Sequence, residues 1–165
     1  MCIVGKVVLL LVRYCTVMNE LSQKIISKLP YGDGFRFVDE ITFVDENRIV
    51  GNYTFRADAP YYKWHFKHKP VTPGVLLIEC MGQIGMASHI VFLENLLEFK
   101  GAINPIMLNM DVSFLKEVLP GERLEVESQK IYYRGGVLKS RICLRNSRNE
   151  DCIVGTGQVK LVKDE

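Results

Sequence analysis

Pro73-Gly74-Val75-Leu76-Leu77-Ile78-Glu79-Cys80-Met81-Gly82-Gln83-Ile84-Gly85-Met86-Ala87-Ser88-His89-Ile90-Val91-Phe92-Leu93 decides how this chain folds. No proline follows Pro73 until Pro105, and apolar side chains fall on nearly every side of a helix drawn through the run. A helix without a polar face has to be covered, so the spacing predicts one long buried helix from Val75 to about Glu98. The stretch is almost long enough to cross a bilayer. Glu79, Gln83 and His89 lie inside it, however, and polar groups at bilayer depth are expensive, whereas a covering sheet offers the same apolar surroundings with hydrogen-bond partners. Stable membrane insertion is not expected.

On either side of this helix the pattern changes to strands. Upstream, Phe35 to Val44 and Arg48 to Phe55 are rich in β-branched and aromatic residues and are separated by Asp45-Glu46-Asn47, polar turn chemistry. Downstream, four strands are predicted: Ile106 to Leu115, Glu122 to Tyr133, Val137 to Arg145 and Cys152 to Val162. Leu119-Pro120-Gly121, Arg134-Gly135-Gly136 and Asn146-Ser147-Arg148-Asn149 separate them as turns. Two strands, a buried helix and four more strands define an α+β domain, an antiparallel sheet wrapped around one long central helix.

The chain has 165 residues, 48% of them hydrophobic, enough for one well-buried core and too few for two comfortable domains. At the N-terminus, Val7 to Val12 is an apolar run too short to span a bilayer, flanked by Lys6 and Arg13 and followed by no cleavage site. Leu21, Ile25 and Leu29 are then spaced four apart, as on one face of a helix opening near Met18. The expectation is a domain over residues 18–165, with Met18 as a candidate start and residues 1–17 as an extension outside the fold.

Composition excludes several classes of function. A net charge of +2, from 21 basic and 19 acidic residues, lacks the strong basic footprint of a nucleic-acid binder. The five cysteines, Cys2, Cys15, Cys80, Cys143 and Cys152, form no C-x-x-C pair, which argues against a disulfide framework or a zinc ribbon and for a reducing cytoplasm. His65-x-x-His68 with Cys80 is an incomplete ligand set, so no metal site is expected.

The chemistry concentrates between Asp58 and Gln83. The stretch from Asp58 to Gly74 has no regular period, carries three prolines and holds two of the three histidines, His65 and His68. Loops of that length usually do something. Glu79 lies five residues past Gly74 in an apolar helix, where a lone carboxylate is costly unless paired. Gln83, four residues on, projects from the same face about 6 Å away, within reach of a hydrogen bond. A core acid satisfied by a backbone group is the plainer alternative. The Pro-Gly start leaves the N–H groups of Gly74 and Val75 at the positive end of the helix dipole, where a developing oxyanion is stabilised. Cys80 reads as a small core residue, because no base stands beside it. Tyr61, Tyr62 and Trp64 suit either a tunnel mouth or packing under the loop.

Together, His65-Phe66, Pro70-Val71-Thr72-Pro73-Gly74-Val75, Glu79 and Gln83 resemble the 3-hydroxyacyl-[acyl-carrier-protein] dehydratases of hotdog fold, the FabA/FabZ type. That family carries a His-Phe pair, Pro-Val-x-Pro-Gly-Val, a catalytic acid inside the central helix and a Gln one turn on. The resemblance covers nearly everything after Met18. It implies that His65 removes the α-proton of a 3-hydroxyacyl thioester and Glu79 protonates the departing hydroxyl. Gly74, with Val75 and Gln83, would form the oxyanion and substrate-binding set.

It further implies a substrate carried on the phosphopantetheine arm of acyl carrier protein, with no metal or redox cofactor. The expected assembly is a homodimer, or a trimer of such dimers, whose sites combine His65 of one chain with Glu79 of the other. Lys63, Lys67 and Lys69 bracket His65 and would meet an acidic carrier, although a solvated loop explains them equally. Lys67-His68, Trp64 and Thr72 depart from the small or apolar residues usual at those places, which bears on the acyl chain more than on the reaction. An acyl-thioesterase on the same fold, or a carrier-binding subunit without turnover, are the alternatives.

Overall fold

The computed structural model describes residues 3–163. Helix α1 (Ile3–Ser27) is followed by β1 (Glu40–Val44) and β2 (Arg48–Thr54), then by a short 3-10 turn at Pro60–Lys63. The central helix comprises α2 (Gly74–Gly82), one π turn (Gln83–Ala87) and α3 (Ser88–Leu93). Four long strands complete the fold: β3 (Ile103–Phe114), β4 (Arg123–Arg134), β5 (Val137–Arg145) and β6 (Asp151–Lys163). All pair antiparallel in one six-stranded sheet of order β1-β2-β4-β5-β6-β3. This is the predicted α+β hotdog architecture.

The central helix fills the concave side of the sheet. Ile84, Met86 and Ile90 are completely buried with Ile49, Leu124, Leu138 and Ile142 from the strands. Truncating any one of these to alanine costs about 2–5 kcal/mol, because the close-packed surroundings cannot collapse into the space left behind. Gly74–Leu93 is the single helix among the described residues apolar and long enough to cross a membrane, and 72% of its window is buried inside the fold.

Three boundaries differ from the sequence reading, each for a local reason. The central helix stops at Leu93 rather than Glu98, because Asn95 takes a left-handed φ of 50°, which asparagine tolerates better than most residues. A separate 3-10 turn, Leu96–Glu98, follows. The first strand begins at Glu40 rather than Phe35. Phe37 N–H donates to Gln83 Oε1 (2.7 Å), while Phe35 C=O accepts from Gln83 Nε2 (2.8 Å), so this backbone is bonded to the central helix and unavailable to the sheet.

The third difference lies at the N-terminus, where α1 passes straight through Met18 without a break. No proline occurs before Pro30, so nothing in the sequence interrupts it. Met18 and Leu21 pack against the core, Ile25 is buried in it, and Ser22 Oγ accepts the Ile41 N–H (2.8 Å), tying α1 to β1. Val7, Val8, Val12 and Val17 are each at least half exposed. Within the 1–17 segment, residues 1–2 lie outside the described residues.

His89 gives the fold a pH dependence. It is completely buried; its Nε2–H donates to Asp45 C=O (2.9 Å), and Nδ1 has no partner among the described residues. Burial lowers its pKa, Lys130 acts in the same direction, and the turn around Asp45 opposes both. The unfolded chain therefore takes up a proton at a higher pH than the native one. Stability is full above about pH 6.5, the unperturbed histidine value, and falls as pH drops from there toward the lower native pKa. The thermal midpoint should fall measurably between about pH 7 and about pH 5.5, and His89→Asn should flatten that slope. Equal slopes in both proteins would remove His89 as its source.

Candidate active site

The segment leading into the central helix is fixed before the helix begins. Thr72 N–H donates to Val118 C=O (2.8 Å), and the Thr72 hydroxyl bonds to that of buried Tyr62 (2.7 Å). Pro73, extended at φ −58° and ψ 130°, caps the helix, and Gly74 opens it. A Cβ on Gly74 would stand 2.9 Å from the Phe114 ring, so only glycine lets β3 approach this end of the helix. The first helical N–H groups, those of Gly74 and Val75, thus sit at the positive dipole end beside a cavity of about 280 Å³ bordered by Val71, Gly74, Leu77 and Phe114. The Val75 side chain itself points to solvent, 73% exposed.

His65 is held by the same segment. Its N–H donates to Tyr61 C=O (2.9 Å) and its C=O accepts from Val71 N–H (3.0 Å). The ring Nδ1 lies 3.1 Å from Val71 C=O. A carbonyl can only accept, so Nδ1 carries the proton, leaving the Nε2 lone pair of the neutral ring free to act as a base. The ring is half-buried and stacks on Phe66 at 4.1 Å.

Glu79 sits on a flank of α2, half-buried rather than sealed in the core that a wholly apolar helix suggested. Its Oε1 accepts from Gln83 Nε2 (2.9 Å), the pairing that the four-residue spacing allows. Gln83 is completely buried, and its amide is fully engaged: Nε2 donates to Glu79 and to Phe35 C=O, and Oε1 accepts from Phe37 N–H. Through these bonds Gln83 holds the Glu79 carboxylate and ties it to the Phe35–Phe37 backbone. The π turn starting at Gln83 is closed by the Ser88 hydroxyl, which donates to Gln83 C=O (2.8 Å).

Glu79 borders a second, smaller cavity with Tyr31, Gly82 and Met107, and this cavity shares no residue with the one beside Gly74. Among the described residues no hydrogen bond joins His65 to Glu79. The short passage after α1 brings Tyr31 beside the acid. Burial raises the Tyr31 pKa, and the Glu79 charge adds to the effect, keeping the phenol protonated.

The remaining expected residues divide. Lys63 and Lys67 are exposed, whereas Lys69 pairs with Glu117 (2.6 Å) across the surface. Such an exposed pair contributes at most about 1 kcal/mol, but it does neutralise the lysine locally. Tyr62 packs beneath the loop with Tyr61 against it, and Trp64 projects outward, 70% exposed. Burial pushes the Cys80 thiol up, consistent with an inert core residue. No three His, Cys, Asp or Glu side chains converge as metal ligands among the described residues, so His65, His68 and Cys80 do not form one set.

A long helix laid across a six-stranded antiparallel sheet, with a histidine and a glutamate near its N-terminal end, places the molecule among the hotdog-fold proteins. Known proteins narrow the class. A family model described as a FabA-like domain matches residues 29–154. The 3-hydroxyacyl-[acyl-carrier-protein] dehydratase FabZ of Pelotomaculum thermopropionicum is 38% identical over 128 residues, covering 75% of this chain and 84% of that protein. FabZ of Clostridium perfringens is 36% identical over 110 residues, covering 66% and 76%. Among solved structures, the dehydratase heterocomplex ApeI:P from Xenorhabdus doucetiae superposes with a TM-score of 0.64 at 14% identity, covering 86% of this chain and 91% of that one, which is likeness of fold. The chain belongs to the FabA-like family of 3-hydroxyacyl-[acyl-carrier-protein] dehydratases.

Proposed function

We propose that this protein removes water from a 3-hydroxyacyl thioester on acyl carrier protein to give the trans-2-enoyl thioester. The observation that carries the reading is the tethering of two proton-transfer groups, His65 through Nδ1 to Val71 and Glu79 through Gln83, each with an atom left over for substrate. His65 Nε2 takes the proton from C2. The negative charge that moves onto the thioester oxygen meets the N–H groups of Gly74 and Val75. Protonated Glu79 then gives its proton to the C3 hydroxyl as the C–O bond breaks, and water leaves. No redox step is needed. The related dehydratases, 31–38% identical, support this reaction over thioester hydrolysis, for which only fold-level likeness speaks. Conversion of a 3-hydroxyacyl carrier, followed by the new conjugated-thioester absorbance, tests it directly, and a folded protein giving no enoyl product overturns it.

His65 and Glu79 fit one reaction best when contributed by two copies, because within one chain Val71, to which His65 is bonded, borders the cavity beside Gly74, whereas Glu79 borders a separate one. β3 is an edge strand bearing exposed Ile106, Leu108 and Phe114, and a long apolar edge of that kind favours pairing with a second chain. A homodimer is the assembly we infer, with a trimer of dimers as its extension, and the unpaired cysteines suit a reducing cytoplasm.

Lys63 and Lys67 are the lysines placed to meet an acidic carrier. Reversing their charge, by Lys63→Glu with Lys67→Glu, should raise KM for carrier-bound substrate by about threefold to tenfold at low salt, with less effect as salt is added. A short free thioester should be unaffected, and Lys69→Glu should matter less because Glu117 already pairs with it. Equal losses on both substrates at every salt concentration would assign these lysines to solvation alone.

A further inference from the structure

Helix α1 changes character at Met18. From there on, Met18 and Leu21 pack against the core, and Ser22 and Ile25 are buried. Ahead of it, Val8 and Cys15 stand on the same row of the helix as Ser22, at steps of two turns, and both are exposed. Val7, Val8, Val12 and Val17 are between 50% and 61% exposed. At about 100° of turn per residue these four valines are spread around the whole axis, and the widest gap between them, about 140°, separates Val12 from Val17. Arg13 falls in that gap, and so does Thr16, whose hydroxyl donates to Val12 C=O (3.0 Å) and makes no demand on water. The helical period assigns Lys6 to the same gap. No aspartate or glutamate precedes Glu20.

We propose that residues 3–17 of α1 attach the protein to an anionic lipid surface, lying along the headgroup boundary without crossing the bilayer. Apolar side chains exposed on every side of a short helix need cover from water. A second copy of the helix covers one side only, because a helix pair buries a single stripe on each member. A lipid interface covers every side except the one kept among the headgroups. The gap holding Lys6 and Arg13 is that side, and two cations without an acid beside them select anionic headgroups. Length excludes crossing: residues 3–17 rise about 22 Å as a helix, against about 30 Å of hydrocarbon. Attachment of this kind is separate from the reaction, since no residue of this segment borders the cavity beside Gly74 or the one beside Glu79.

The test is flotation of the full chain with vesicles of phosphatidylcholine alone or with about one-third phosphatidylglycerol. The protein should float with the anionic vesicles and bind the neutral ones about tenfold or more weakly. Val8→Glu with Val12→Glu should abolish binding to both, because two carboxylates then enter the apolar side. Lys6→Glu with Arg13→Glu should lower binding to the anionic vesicles to about the neutral level or below. Val8, Val12 and Arg13 are exposed, so the fold should tolerate these changes, and circular dichroism with an unchanged thermal midpoint checks this. Wild type left behind by both kinds of vesicle, or binding that survives the valine pair, would overturn the attachment. Equal binding to neutral and anionic vesicles would refute the choice of anionic lipid. If wild type ignores vesicles and its mass in solution falls when Val8 and Val12 are replaced, the valines belong to a contact between copies of the chain, which overturns the attachment as well. Turnover of a 3-hydroxyacyl carrier is measured separately, and its absence would bear on the dehydratase reading alone.

Discussion

Glu79→Gln lowers turnover of a 3-hydroxyacyl carrier by roughly 10²-fold or more while the protein stays folded, and His65→Ala does the same. The glutamine is nearly isosteric, and its amide oxygen can still accept from Gln83 Nε2, so the bond at 2.9 Å and the attachment of Phe35 and Phe37 survive. What is lost is the proton that lets hydroxide leave as water. His65→Ala removes one side-chain bond to Val71, a net cost of about 1 kcal/mol, while the backbone bonds of His65 to Tyr61 and Val71 remain. Because base and acid serve one reaction, the double variant should lose little more than the worse single one. Unchanged circular dichroism with collapsed turnover is the expected pair of readings, and Glu79→Gln retaining most of its rate would take Glu79 out of the mechanism.

Two inactive proteins should also restore each other. When His65→Ala and Glu79→Gln chains are unfolded and refolded together in equal amounts, about half the dimers are mixed, and each mixed dimer has one site with both groups intact, so about a quarter of wild-type activity returns. The motive is geometric. Gly74 and the loop carrying His65 border the cavity on the Phe114 side of α2, while Glu79 faces Tyr31 and Met107. Mixed dimers proved by mass yet as inactive as their parents would refute the shared site and require both residues to act within one chain.

Much of this was legible in the residues. The buried helix, its Pro-Gly start, five of the six strands to within three residues, and the Glu79–Gln83 spacing all follow from local period and turn chemistry. The errors fall where a distant group overrides local preference. Phe35 to Asp39 has strand composition, but the Gln83 amide, more than forty residues away in sequence, takes the Phe35 carbonyl and the Phe37 N–H. Tyr31 carried no signal of a site because its meaning depends on which helix flank lies opposite it. The half-burial of Glu79 was not legible either, since helical period does not say which flank the sheet leaves open.

By itself, then, the sequence determined the α+β class, the central helix and the identities of the candidate base and acid, because each is encoded in spacings of a few residues along the chain. Only the tertiary structure decided that the Gln83 amide is bonded to the Phe35–Phe37 backbone, that Lys69 is paired with Glu117, and that Tyr31 and Met107 lie beside the acid. These depend on groups between about twenty-five and fifty residues apart meeting within a few ångströms. Such meetings are set by how the sheet curls around the helix, which no local period contains.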